Sequence, residues 1–141
     1  MKIFYGYTKD EEEFKQKAIE KYNKLAKTDV GKLYRDKKGI EHLEDAHFCA
    51  AKIKDFMVVA ISNERIGIAI EEENKKLPKK VEMTLDEYVD YNAYLRWTGK
   101  NILLSVAYKS YPMDKVTHFK VLNYIGAVYS IDGSVSKIEL K

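Results

Sequence analysis

Residues 58–73 read VVAISNERIGIAIEEE, and no other stretch restricts the fold as much. Its apolar residues alternate with small or polar ones, which suits strands, because successive strand side chains point to opposite faces. Phe56 to Ser62 and Arg65 to Glu71 are expected strands, with Asn63-Glu64 as a tight turn between them. In the second strand Ile66, Ile68 and Ile70 share one face and read as core, while Gly67, Ala69 and Glu71 share the other. That other face is nearly bare around Ala69. It can admit a ligand to the backbone, or pack under a helix.

The flanking sequence supplies the partners such strands need. Residues 2–7 suit a first strand. Asp10 can cap a helix, with Glu13 in the capping-box position, and Phe14, Ala18, Tyr22 and Leu25 recur at helical spacing up to an expected end near Lys27. Residues 28–44 read as a polar loop with room for one short element. They carry a basic run, Lys32, Arg35, Lys37 and Lys38, that suits either a solvated surface or a phosphate-holding loop. His47 to Ile53 is a further expected strand. Thr84 and Glu87 give the T-x-x-E pattern of a second helix start, with Leu85, Tyr88, Tyr91 or Asn92, and Leu95 on its apolar side. That periodicity continues through Trp97, Leu104 and Ala107, weakened at Gly99 by about 1 kcal/mol relative to Ala, and stopped by Pro112. His118 to Leu122 and Tyr124 to Ile131 suit strands, and Asp132-Gly133 suits a hairpin leading into Val135 to Leu140. The order β-α-loop-βββ-α-βββ predicts an α+β fold with mainly antiparallel sheet. It also permits two pseudo-repeated αβββ halves.

Composition limits the function classes. A chain of 141 residues with 45% hydrophobic and 33% charged residues has the make-up of a soluble globular protein, and its length suits one domain. A net charge of +3 is too mild for a dedicated DNA binder, though it suits an anionic small molecule or an acidic protein surface. The eleven tyrosines can fill a core or supply contact surface. Cys49 is the single cysteine, so an intrachain disulfide framework is excluded; it reads as buried and inert. His42, His47 and His118 have no zinc-like spacing with it. No apolar run approaches the about 18 residues of a membrane span, and MKIFYGY lacks the pattern of a signal peptide, so a cytoplasmic protein is expected.

Two phrases carry a resemblance. Gly67-Ile68-Ala69-Ile70-Glu71 is similar to a strand reading G-I-D-I-E, and Trp97-Thr98-Gly99-Lys100-Asn101 to a helix reading W-T-x-K-E. Gly31-Lys32 falls near a G-K-P phrase and HFCAAK at 47–52 near an F-N-x-S-H-S phrase. Together they resemble the 4'-phosphopantetheinyl transferase superfamily over about residues 30–107. The resemblance implies one transferase-like domain over residues 1–141, either a trimmed form with two small lobes at about 1–80 and 81–141 or a one-lobe form that dimerises. It implies a reaction in which the phosphopantetheine arm of coenzyme A moves to a serine of an acyl or peptidyl carrier protein. Magnesium, a hard cation that prefers oxygen ligands, bridges the diphosphate and protein carboxylates.

Mapped onto this chain, the resemblance implies Lys100 and Glu71 as catalytic groups and Glu71 and Asn101 as metal ligands. Lys32, Arg35, Lys52 and Lys100 are the expected contacts for coenzyme A. Trp97 reads as core rather than as a base-stacking platform. The chain departs from the pattern where Ala69 stands for the aspartate and Asn101 for the last glutamate. Alanine offers no oxygen, and a neutral amide is a poor base. Glu71 with Glu72 or Glu73 offers partial compensation, but by alternation Glu72 points away from the Glu71 face, so a direct rescue by Glu72 is geometrically poor. The expectation is a degenerate transferase-like protein, a pseudoenzyme that keeps a cleft for coenzyme A or a carrier protein. The alternatives are an active magnesium-dependent transferase and a nucleic-acid-binding or structural module. A homo-oligomer is compatible with so short a chain.

Overall fold

The computed structural model describes residues 1–98, 114–131 and 133–140. The elements run β1 (Lys2–Tyr7), α1 (Glu11–Ala26), β2 (Leu33–Arg35), β3 (Glu41–Leu43), β4 (His47–Ile53), β5 (Phe56–Ser62), β6 (Gly67–Glu72), α2 (Leu85–Trp97), β7 (Val116–Val121), β8 (Tyr124–Tyr129) and β9 (Ser136–Glu139). One sheet has the order β4-β5-β1-β9, a second β6-β8-β7, and β2 and β3 form a separate ribbon. Among the described residues all pairings are antiparallel except β1 with β9. The described residues form an α+β fold with two helices on largely antiparallel sheets.

Strand alternation explains the layering. Ile3, Val58 and Ala60 of the first sheet meet Ile66, Ile68, Ile70 and Val128 on the side of the second, forming the core between the sheets. The residues between them in sequence point the other way. Phe4, Met57, Val59 and Ile61 pack under Phe14, Ala18, Ile19 and Tyr22 of α1. Ala69, Ala127 and Tyr129 pack under Val89 and Ala93 of α2. The result is helix, sheet, sheet, helix. Every residue of β5 is buried, because both of its faces are covered. Each fully buried Ile, Val or Phe contributes about 1.5–3 kcal/mol relative to exposure.

Two expected hairpins do not form, for one reason. Asn63-Glu64 is a crossover, not a hairpin turn: β5 already has β1 on one side and β4 on the other, so β6 has no free edge beside it. The chain instead crosses to the second sheet, and Ser62 Oγ accepts the Glu64 N–H at 3.1 Å on the way. Likewise β8 is flanked by β6 and β7, so the strand after Gly133 pairs in parallel with the free edge of β1. Asp132 itself lies outside the described residues. The hairpin of the second sheet is β7–β8, turned at Leu122 and Asn123, with Leu122 at φ 54°.

The helix starts form as read. The Asp10 side chain accepts the Glu13 N–H at 3.0 Å, but the Asp10 N–H goes to Thr8 Oγ1 and Glu13 pairs with Lys17, so only half of a capping box is made. Thr84 and Glu87 make the full reciprocal box. The buried stripes shift slightly. Leu25 is exposed on α1 and Ile19 takes its place. On α2 the buried positions are Val89, Asp90, Tyr91 and Ala93; of the expected side Tyr91 is among them, while Leu85, Tyr88 and Leu95 are half-buried. α2 ends at Trp97, and the expected continuation through Leu104 and Ala107 lies outside the described residues. No helix among the described residues is long and apolar enough to cross a membrane.

Candidate functional site

Of the two readings of the Gly67–Ala69 face, packing under a helix is the one that holds. A side chain built on Gly67 would collide with the carbonyl oxygen of Ala93 and the backbone nitrogen of Trp97, and would come within 2.9 Å of the Trp97 Cα. Glycine lets α2 lie directly on β6 there. Ala69, buried against Val89 and Ala93, continues that contact. The bare face packs under a helix and does not admit a ligand.

The direction of α2 over β6 also sets where Glu71 falls. Gly67 sits at the C-terminal turn of α2, beside Trp97. Glu71 is four residues along the strand, roughly 13 Å away at the strand rise. It is half-buried, and its Oε1 accepts the Glu72 N–H at 3.0 Å. Glu72 turns to Lys54 at 3.0 Å and Glu73 to Lys120 at 2.8 Å. Neither stands with Glu71 as a ligand set. Lys100 and Asn101 lie outside the described residues.

The three expected cation contacts are separate from Glu71. Lys52 pairs with Glu11 at 2.9 Å, and that contact holds the Glu11 carboxyl below the usual glutamate range. Arg35 approaches Glu12 and Glu41 at 3.9 and 3.8 Å. Lys32 is exposed at the start of the ribbon, and its backbone N–H donates to Glu44 at 2.6 Å. Beneath this network lies Lys15, 3% exposed, whose ammonium bridges both Glu41 oxygens at 2.9 and 3.0 Å. This pair clasps the β2–β3 ribbon to α1.

A different set of cations converges. A groove of about 530 Å³ runs between the ribbon turn, the start of β4, the β5–β6 crossover and the end of α2. That volume suits a small-molecule ligand. Arg65 stacks on the Trp97 ring, its guanidinium carbon 4.5 Å from the ring centroid, and Lys115 Nζ is 5.8 Å from the same centroid. A cation over an indole contributes about 0.5–2 kcal/mol, depending on desolvation. The ring packs edge-on against Tyr129 at 5.1 Å, so Trp97 is at once core and groove wall. Its buried Nε1 has no hydrogen-bond partner among the described residues.

Lys37 and Lys38 approach from the ribbon turn. Among the described residues, Arg65, Lys37 and Lys38 have no carboxylate partner. Arg96 donates from Nη1 to the Ala50 carbonyl at 2.7 Å. Burial pushes the neighbouring Cys49 thiol up, against the opposing effect of Arg96. His47 lines the groove, and His42 pairs with Asp36 at 2.8 Å. His118 lies elsewhere, paired with the buried Asp90.

Sequence reading included the basic run of the ribbon but not Arg65 or Arg96. Arg65 precedes an apolar strand and Arg96 precedes Trp97. The only signal was that each is a lone arginine beside a packed apolar residue. Their convergence depends on the crossover.

Of the positions that the resemblance would give to magnesium, Ala69 is a buried apolar contact, Glu71 accepts the Glu72 N–H through one oxygen, and Asn101 lies outside the described residues. No group of three or more His, Cys, Asp or Glu among the described residues could hold a metal. Compared with known proteins, the chain matches no family model and no curated sequence.

Proposed function

We propose that this chain binds a phosphorylated nucleotide of the coenzyme A type, as a degenerate relative of the 4'-phosphopantetheinyl transferases that no longer transfers the arm. The observation that carries the reading is the groove at Arg65 and Trp97. An indole wall under a guanidinium, beside two lysines without carboxylate partners among the described residues, suits a ligand with a flat base and several phosphate charges. The contact of Gly67 with the Trp97 backbone supports the resemblance, since it sets the G-I-x-I-E strand beside the W-T helix end. The loss of oxygen ligands at Ala69, together with Asn101, favours binding without turnover. A carrier protein is the second partner this reading proposes.

The test is calorimetric titration of the full chain with coenzyme A, alongside carrier-protein mass after incubation with coenzyme A and magnesium. Saturable binding with no gain in carrier mass is expected. A mass gain would establish the active transferase instead. Absence of coenzyme A binding, with steeply salt-dependent binding of single-stranded oligonucleotides, would favour the nucleic-acid reading.

A further inference from the structure

We infer that the groove takes its ligand as the metal-free polyanion, with phosphate oxygens meeting Arg65, Lys37 and Lys38 directly and no divalent cation between. This rests on the coenzyme A reading and sharpens it.

The carboxylates and the cations that line the groove are in opposite conditions. Among the described residues its two carboxylates, Asp36 and Glu41, both have partners. Asp36 Oδ2 meets His42 Nε2 at 2.8 Å, and Oδ1 accepts the N–H groups of Lys38 and Ile40 at 2.8 and 3.0 Å. The contact with His42, with those N–H groups, holds the Asp36 carboxyl below the usual range. Glu41 is bridged through both oxygens by the buried Lys15 ammonium. A hard cation needs anionic oxygens that it can draw into octahedral geometry. Taking Glu41 would leave Lys15 charged and buried without its main partner, which is strongly unfavourable. Taking Asp36 would break the hydrogen bonds that shape the ribbon turn.

The cations are in the opposite condition. Arg65, Lys37 and Lys38 face the groove without carboxylate partners among the described residues. A diphosphate can therefore be neutralised by side chains alone, through charge-assisted hydrogen bonds. Glu71, the carboxylate that the resemblance would give to a metal, lies roughly 13 Å along β6 from the Gly67–Trp97 contact. It is not among the described residues that line the groove.

The experiment is calorimetry on the full chain with coenzyme A as probe, in EDTA and in excess magnesium, with inorganic pyrophosphate as a competitor in EDTA. Saturable binding in EDTA is expected, with equal or weaker affinity in magnesium, because the ion competes for the same phosphates. Pyrophosphate should displace the ligand. The triple variant Arg65→Gln, Lys37→Gln and Lys38→Gln, folded by circular dichroism, should lose about tenfold or more in affinity in EDTA. Binding that requires magnesium, or is tightened about tenfold by it, would overturn the inference and leave the coenzyme A reading standing. Failure of pyrophosphate to compete, or an unaffected triple variant, would also overturn it. No binding under either condition would remove the coenzyme A reading itself, and this inference with it.

Discussion

The Arg65 guanidinium carbon lies 4.5 Å from the centroid of the Trp97 ring, joining the β5–β6 crossover to the last turn of α2. This contact brings the groove's charge to its aromatic wall. Arg65→Gln should weaken coenzyme A binding about tenfold in calorimetry, since it removes a charge-assisted contact and the cation over the indole. Arg65→Lys should recover only part of the loss, because an ammonium lacks the planar, stacking geometry of guanidinium.

Gly67→Ala tests the closure of α2 on β6. The added methyl meets the Ala93 carbonyl and the Trp97 backbone, both fixed by the helix. A destabilisation of about 3 kcal/mol is expected from urea unfolding. A neutral substitution would show that α2 does not press on β6 as described.

The Lys15–Glu41 clasp should behave as a coupled pair. Lys15→Met and Glu41→Leu should each cost about 3 kcal/mol, because each strands a partly or fully buried charge. The double variant should recover most of that loss. A double-mutant cycle on urea unfolding measures the coupling, and simple additivity would contradict the clasp.

The Glu11–Lys52 pair gives a pH-dependent prediction. The hydrogen bond from Lys52 lowers the folded Glu11 pKa, so the pair stabilises the fold above the unfolded value. That stability fades as pH falls through the folded value. Both side chains are partly exposed, at 46% for Glu11 and 29% for Lys52, so solvent screening keeps the effect to about 0.5 kcal/mol. Lys52→Met should cost that much at pH 7, and the gap should close as pH falls below about 4.3. A constant gap across pH would show that Lys52 acts through packing of its stem.

Local sequence carried the elements but not their neighbours. The caps at Asp10 and Thr84 and the alternation of Ile66, Ile68 and Ile70 were legible, because each depends on residues close in the chain. The turn signals at Asn63-Glu64 and Asp132-Gly133 do not make hairpins, because whether a strand has a free edge depends on partners tens of residues away. β5 was already flanked by β1 and β4, and β8 by β6 and β7. The ribbon at 33–43 escaped notice as two strands of three residues among polar neighbours. The groove was half legible. Lys37 and Lys38 stood in a visible basic run, while Arg65 and Arg96 join them only through the crossover and the end of α2.

Trp97 is the only tryptophan in the chain, so its fluorescence reports the groove without a label. Titration of the full chain with coenzyme A, followed at the indole emission, tests the central claim most directly. The account predicts a saturable change in emission that Arg65→Gln shifts to about tenfold higher ligand concentration. Emission that stays flat up to roughly 1 mM coenzyme A, the range of the weakest specific binding, would contradict it.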